Sequence, residues 1–143
     1  MLPVKIKLIH PNAKMPEYKT KGSSGADLYA VEDVMIPGKE VRTIPTGIQL
    51  EIPPGFEAQI RPRSSISKQF PFDMPNSPGT VDSDYRGEVQ VLIRNLAEDH
   101  IWVYAGQRIA QMIICPILQV KFTETKELSK TDRGEGGFGS TGR

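Results

Sequence analysis

The sequence predicts an all-β domain, for three reasons. Apolar residues recur with a period of two, proline and glycine interrupt these runs, and helical periodicity is nearly absent. The chain has 12 prolines and 13 glycines among 143 residues, enough to separate many short strands by turns. Its length suits a single domain with a hydrophobic core, so we expect a small barrel or sandwich.

The first strands follow from this alternation. Apolar residues alternate with lysines over residues 4–8, which predicts a strand near the N-terminus. Two further alternating runs, 48–52 and 56–61, are separated by the turn residues 53–55, Pro-Pro-Gly. This arrangement predicts a β-hairpin.

The later elements are predicted in the same way. Residues 89–93 alternate, whereas residues 109–118 are almost continuously apolar, as expected of a strand buried on both faces. A barrel interior or a second copy of the chain would explain such burial equally well. Only residues 64–70 have a helical character. The single cysteine, Cys115, cannot form an internal disulfide, and we expect it to be buried.

Composition excludes several classes of protein. A net charge of +1 gives no global basic field, which argues against a dedicated nucleic-acid binder. The N-terminus lacks the charged and apolar regions of a signal peptide, and no apolar stretch approaches membrane-spanning length. We expect a soluble, cytoplasmic protein with no membrane partner.

The last eleven residues, 133–143, are rich in glycine, with two hydroxyl residues, one aromatic ring and an arginine at each end. Such a segment has too little apolar surface to offset the entropy of ordering it alone. It lacks the Gly-Lys-Ser/Thr of a P-loop. We expect a mobile arm that closes over a bound anion. The sequence therefore divides into a β-barrel domain, 1–122, and a flexible arm, 123–143.

One candidate phosphate site lies at residues 61–67, where a strand ends in two arginines and leads into serines at the start of a short helix. Helix N-termini, serine hydroxyls and arginines all bind phosphate. The alternative is that the serines simply cap the helix while the arginines remain solvated.

A second candidate site contains Asp82, Asp84 and Tyr85. A carboxylate near a bound phosphate orients and deprotonates water, and a tyrosine ring packs on a sugar. The alternative is a polar β-turn. His10 and His100 are isolated in the sequence, so we expect any Mg²⁺ to be held through substrate phosphates and water.

Two further polar residues interrupt apolar segments. Gln111 lies within the strongly apolar strand, where its amide either bonds to nearby backbone or faces a ligand. Asp27 lies in the small-residue segment 23–30, for which a turn is the default interpretation.

Taken together and in order, these five segments resemble the five motifs of the trimeric dUTPases, from Gly25 to Gly142. The most specific are 82–88, Asp-Ser-Asp-Tyr-Arg-Gly-Glu, and 133–142 in the arm. The resemblance implies a jelly-roll-like distorted β-barrel, a homotrimer with active sites shared between subunits, and a C-terminal arm that covers a neighbouring site. It also implies hydrolysis of dUTP to dUMP and pyrophosphate with Mg²⁺, which limits uracil in DNA and supplies dUMP for dTMP synthesis.

The resemblance assigns roles to individual residues. Asp82 activates the water that attacks the α-phosphorus, and Asp27 supports the Mg²⁺–water and arginine network without being a direct ligand. The residues implied to bind base and sugar are Asn76, Gly79, Val81, Tyr85 and Phe138. Those implied to bind phosphate are Arg63, Ser64, Ser65, Gln111, Arg133, Ser140 and Thr141.

One segment departs from the family pattern. The family usually follows its Arg-Ser with Gly-Leu-Ala, whereas this chain has Ser65-Ile66-Ser67. Arg-Ser-Ser resembles the related dCTP deaminases, but their catalytic glutamate position is Leu92 here. This departure makes a dCTP deaminase-like enzyme one alternative. Two others are a non-catalytic dUTP-binding regulatory module and a structural β subunit.

Overall fold

The computed structural model describes residues 2–140 and 142. In these residues, ten strands and one short helix follow one another along the chain. They are β1 Lys5–Leu8, β2 Ala26–Tyr29, β3 Val34–Ile36, β4 Val41–Glu51, β5 Phe56–Arg61, α1 Ser64–Gln69, β6 Phe72–Asp73, β7 Gly79–Val81, β8 Glu88–Asn95, β9 Ile101–Val103 and β10 Arg108–Pro116. The predicted all-β class and the single short helix are confirmed.

The strands form two four-stranded sheets, ordered β1-β4-β8-β6 and β2-β10-β5-β7, and a two-stranded sheet of β3 and β9. One apolar core takes residues from both larger sheets, including Ile44 and Val91 from the first and Ala58 and Ile60 from the second. The alternation predicted for β1, β5 and β8 is the pattern that turns one face of each strand toward other elements. In the described residues these sheets are open, so the predicted barrel is not closed.

The predicted hairpin between residues 48–52 and 56–61 is wrong. These runs fall in β4 and β5, which lie in different sheets. After the turn closed by the Phe56 N–H and the Pro53 carbonyl (3.3 Å), β5 pairs with β10 and β7 instead. Alternation shows which face of a strand is buried, but it does not select the neighbouring strand.

The long strand β4 lies between β1 and β8, and its ladder with β8 is irregular around Gly47, beyond which Gln49 pairs with both neighbours. Residues 41–45 pair with β8, residues 48–51 pair with β1, and the register with β8 shifts between Pro45 and Gln49. Gly47 has a φ of +69°, which favours glycine, and its N–H donates to Glu88 Oε1 (2.8 Å).

The strand predicted over residues 109–118 is confirmed as β10, but its burial differs from the expectation. Ile109, Ala110 and Met112 are buried, whereas Cys115 is only half-buried, so the predicted burial of this thiol is wrong. β10 ends at Pro116, and Leu118 is 87% exposed. In the second half of the strand, residues 113–115 are only half-buried, with Ile114 packed against the edge of the core.

After β10, the described residues 117–140 and 142 form no helix or strand. Ile117 still donates to the Gly55 carbonyl (2.9 Å), and turns such as Gly134 N–H to Thr131 O (3.1 Å) follow. The division of the chain at residue 123 stays a prediction. None of the helices in the described part has the length and apolar character needed to span a bilayer.

Candidate functional site

A polar cleft of about 330 Å³ lies at one end of the second sheet, between β2, β10 and the start of α1. It brings together five of the residues predicted from the sequence: Asp27, Arg63, Ser64, Ser65 and Gln111. The sheet explains how segments distant in sequence meet here. Gln111, on the central strand β10, pairs with Asp27 of β2 on one side and with Arg61 of β5 on the other.

The carboxylate of Asp27 holds two arginines beside this cleft. Asp27 is 6% exposed and accepts from Arg63 Nε (2.9 Å) through one oxygen and from Arg108 Nη1 (3.1 Å) through the other. Burying a carboxylate is costly unless it is paired, and two cations provide that pairing. The carboxylate thereby fixes both guanidinium groups at the wall of the cleft. The role predicted for Asp27 toward Mg²⁺ and water stays a prediction.

Arg108 was missing from the sequence-based site. In a regular strand, residues three positions apart face opposite sides, so Arg108 and Gln111 would point away from each other. The ladder between β10 and β2 is irregular between Arg108 and Ala110, and a bulge there adds a residue on one strand. Both side chains consequently line the same cleft. No local signal in the sequence marks this irregularity.

The sequence left open whether the Gln111 amide bonds to nearby backbone or faces a ligand, and its position allows both. Its Nε2 donates to the Pro62 carbonyl (2.9 Å), and the side chain also lines the cleft. Gly25 leaves the space for this side chain, because a Cβ built at Gly25 would lie 3.0 Å from Gln111 Cβ and closer still to its Oε1. The absence of a side chain at Gly25, immediately before β2, therefore makes room for the side chain of Gln111 on β10.

The helix at the cleft begins differently from the sequence prediction. Arg63 occupies the N-cap position in an extended conformation, with no side-chain capping hydrogen bond, and Ser64 is the first helical residue. The predicted capping by the serines is wrong, because they lie inside the first turn and not before it. Ser64 and Ser65 line the cleft instead.

Two of the residues predicted to contact the base, Gly79 and Val81, lie on β7, at the other edge of the same sheet. Gly79 and Val81 pair with Ile60 and Ala58 of β5. The Asn76 amide packs closely beside Gly79, where a Cβ would be 3.1 Å from Nδ2. A side chain at this position would require the asparagine amide to shift by a few tenths of an ångström.

Asp82 and Tyr85 follow β7 in a tight turn, closed by the Tyr85 N–H and the Asp82 carbonyl (3.2 Å). Asp82 is exposed. The Tyr85 ring is 46% exposed and lies directly against Gly87, with its hydroxyl donating to the Glu88 carbonyl (3.1 Å). The turn presents a carboxylate and one face of an aromatic ring to the outside of the molecule.

The structure does not bring Asp82 to the phosphate cleft of its own chain. Because Val81 pairs with Ala58, Asp82 lies at the start of β5, whereas Arg63 follows the end of that strand. Asp82 lies opposite Glu57, and the six residues from there to Arg63 span roughly 20 Å of extended chain. Neither Asp82 nor Tyr85 lines the cleft. The predicted site residues of the β domain therefore form two groups within one chain.

The arm residues belong to neither group. Arg133 Nε donates to the Gly136 carbonyl (2.7 Å), and the Ser140 N–H donates to the Gly137 carbonyl (3.0 Å). Phe138 has a φ of +49° and a fully exposed ring. Thr141, predicted to bind phosphate, lies outside the described residues. In the part of the chain that the structure covers, no three His, Cys, Asp or Glu side chains gather closely enough to hold a metal ion.

Comparison with known proteins assigns the chain to a family. The family model described as dUTPase matches residues 11–142. The deoxyuridine 5'-triphosphate nucleotidohydrolase of Hydrogenobaculum sp. (strain Y04AAS1) is 48% identical over 139 residues, covering 96% of each chain. The enzyme of the same name from Clostridium acetobutylicum is 48% identical over 142 residues, covering 99% of this chain and 98% of the relative.

Solved structures agree with this assignment. The dUTPase of Staphylococcus bacteriophage 80alpha with dUPNHPP has a TM-score of 0.92 and 27% identity, covering 99% of each chain. The D95N dUTPase of phage phi11 of S. aureus, which coordinates a structural Mg(II) ion, has the same fold at a TM-score of 0.81 and 22% identity; the match covers 87% of this chain and 97% of that one. Family model, relatives and fold agree over nearly the whole length, and the chain belongs to the dUTPase family.

Proposed function

We propose that this protein hydrolyses dUTP to dUMP and pyrophosphate, with Asp82 as the base that activates the attacking water. The observation that carries the proposal is the cleft in which buried Asp27 holds Arg63 and Arg108 beside Gln111, in a chain of the dUTPase family. Two fixed cations and helix backbone N–H groups suit a polyphosphate.

The chemistry needs few protein groups. A water oxygen bonds to the α-phosphorus while the bond from that phosphorus to the bridging oxygen breaks, and pyrophosphate leaves. Asp82 accepts the proton that the water loses. Arg63 and Arg108 offset the charge that develops on the phosphate oxygens, and because Asp27 already orients them, little reorganisation is required.

Mg²⁺ fits this arrangement as a partner of the substrate. Mg²⁺ generally keeps several waters and uses few carboxylates, so when bound it would be held largely through substrate phosphate oxygens and would polarise them. Asp27 is committed to two arginines, so its role toward the metal is to order the surrounding arginines and water. The substrate phosphates then provide the metal's ligands.

We infer that the complete site forms between copies of the chain, as a homotrimer. Two observations support this. Asp82 lies beside the start of β5 and Arg63 lies beyond its end, roughly 20 Å apart along the chain, so one chain does not place its base beside its own phosphate cleft. Leu118 and Phe122, just beyond β10, are 87% and 92% exposed, and contact with a second copy would remove their apolar surface from water.

In the assembled site, Tyr85 packs under the deoxyribose, where its exposed ring leaves no room for a 2′-hydroxyl. Asn76 and the backbone at Gly79 and Val81 contact the uracil. Phe138 of the arm stacks on the base, while the other arm residues bind the outer phosphates: Arg133, Ser140 and Thr141. This closure excludes bulk water from the attacked phosphorus.

A direct test uses Asp82→Asn with Asp84→Asn as the matched control. Both residues are exposed carboxylates in one turn, but only Asp82 has the proposed role. With dUTP and Mg²⁺, we expect Asp82→Asn to lower kcat by about 10²–10⁴-fold. Its affinity for dUPNHPP should stay near that of the wild type, and Asp84→Asn should turn over normally.

Other results would contradict the proposal. Near-normal turnover by Asp82→Asn would exclude it as the base. Absence of pyrophosphate from the wild-type chain, with dUTP returned unchanged in single turnover, would instead favour a regulatory binding module. Release of ammonia from dCTP would favour the deaminase, although β8 has no carboxylate at Leu92 to transfer the proton.

A further inference from the structure

A third cation faces the phosphate cleft from the segment that precedes β2. Lys19 lines the cleft together with Arg63 and Arg108. The segment is held in place by an isolated bridge between Glu17 and Asp27, in which the Asp27 N–H donates to the Glu17 carbonyl (2.9 Å). The bridge therefore anchors the backbone two residues before Lys19 next to the residue whose carboxylate holds the two arginines.

The ammonium of Lys19 is paired in a way that is easily released. Its Nζ forms an ion pair with Glu17 Oε2, and the two side chains are 43% and 58% exposed. Exposed pairs of this kind contribute little stability. Glu17 Oε2 also accepts from the Tyr29 hydroxyl (3.3 Å), so the glutamate keeps a partner when the lysine leaves. The hydrogen bond to Glu17 raises the pKa of Lys19, and the side chain stays charged at neutral pH.

The other two cations of the cleft are already engaged. Asp27 bonds to both Arg63 and Arg108, which offsets part of their charge. A triphosphate is more strongly anionic than the carboxylate of Glu17, so it competes well for an exposed ammonium. Lys19 differs from the two arginines because its partner, Glu17, is exposed to solvent and also accepts a hydrogen bond from Tyr29.

The exposure of the cationic side chains indicates which phosphates of the substrate Lys19 contacts. The attacked α-phosphorus must be shielded from bulk water. The Arg63 side chain is 20% exposed, whereas those of Arg108 and Lys19 are 42% and 43% exposed, so Arg63 is the innermost of the three cations and Lys19 lies further out. Resting on the proposed function, we propose that Lys19 leaves Glu17 and binds the outer phosphates of dUTP, the part released as pyrophosphate.

The test compares Lys19→Ala with Lys21→Ala, an exposed lysine two residues away that does not line the cleft. With Mg²⁺ present, we expect Lys19→Ala to weaken dUPNHPP binding about tenfold, as for one charge-assisted contact. Binding of dUMP, which lacks the outer phosphates, should be unchanged. The KM for dUTP should rise while kcat stays close to that of the wild type.

Two further measurements separate binding from a structural effect. Affinity of the wild type for dUPNHPP should fall more steeply with salt than that of Lys19→Ala, because one charge contact is gone. Lys19→Arg should restore most of the affinity.

The proposal is overturned if Lys19→Ala and Lys21→Ala bind dUPNHPP equally well, or if Lys19→Ala weakens dUMP and dUPNHPP to the same extent. Either result leaves dUTP hydrolysis by the wild type intact. Failure of the wild type to hydrolyse dUTP would overturn the proposed function itself.

Discussion

The contact between Gly25 and Gln111 gives a sharp test of the phosphate cleft. A Cβ added at Gly25 would lie 3.0 Å from Gln111 Cβ and 3.1 Å from its Cδ, and closer still to Oε1. Carbon atoms in proteins ordinarily approach to about 3.5–4.0 Å. In Gly25→Ala, the glutamine side chain must therefore retreat by roughly 0.5–1 Å, measured against that spacing.

This shift should lower both the stability of the protein and its catalytic rate, but by different amounts. The bond from Gln111 Nε2 to the Pro62 carbonyl (2.9 Å) is strained or lost, which costs about 1–2 kcal/mol of unfolding free energy and lowers Tm by a few degrees. The Pro62 carbonyl immediately precedes Arg63, so the phosphate-binding segment shifts as well. A displacement of about 1 Å at reacting groups costs roughly 10²-fold in rate. We expect activity to fall far more than stability.

The assay measures kcat/KM for dUTP with Mg²⁺ alongside thermal unfolding. Gly22→Ala is the matched control, because a Cβ at Gly22 meets no atom within 4 Å and the residue lies in the same segment. We expect Gly25→Ala to lose about 10²-fold in kcat/KM. Gly22→Ala should behave like the wild type.

Wild-type kcat/KM in Gly25→Ala would refute the reasoning, since it would mean that the Gln111 position does not matter for catalysis. An equal loss in Gly22→Ala would also refute it, because the effect would then arise from the segment and not from the contact.

Two more outcomes follow from the structure. Asn95 is completely buried, and its Nδ2 donates to the carbonyls of Ile36 (3.1 Å), Pro37 (3.1 Å) and Asp99 (2.8 Å). In chemical denaturation, Asn95→Ala should lower the free energy of unfolding by about 3–4 kcal/mol, because these buried carbonyls lose their donor. Asn76→Ala, at an exposed asparagine, should leave the free energy of unfolding almost unchanged, and similar losses in the two variants would contradict the reasoning. Removing residues 133–143 should lower kcat/KM by about 10²-fold or more. Tm and mass by light scattering should change little, and unchanged activity would exclude closure by the arm.

Much of the fold was predictable because burial leaves a local pattern. The alternation over residues 4–8, 56–61 and 89–93 corresponds to β1, β5 and β8. Strand pairing was less predictable, as the hairpin proposed across residues 53–55 shows. A turn-forming sequence bends the chain, but whether the next strand joins the same sheet depends on the packing of distant apolar faces.

Some residues of the candidate site could likewise be predicted from the sequence, and others could not. Arg63 and Gln111 stood out because charged and amide groups beside or within apolar runs need partners, whereas Asp27 was identified only through the resemblance to the dUTPases. Arg108 and Lys19 were not identifiable from spacing, since a bulge turns the first and an isolated bridge places the second. Both features depend on contacts between segments far apart in the chain.

By itself, the sequence determined the all-β class, the short helix and the segments that match the dUTPase family. These depend on residue type and on a period of two, which are properties of neighbours along the chain. Only the tertiary structure decided that Asp27 would hold two arginines at one cleft and that Asp82 would lie at the far end of β5. Strand order and register set those distances, and they are established only when the two sheets close on a common core.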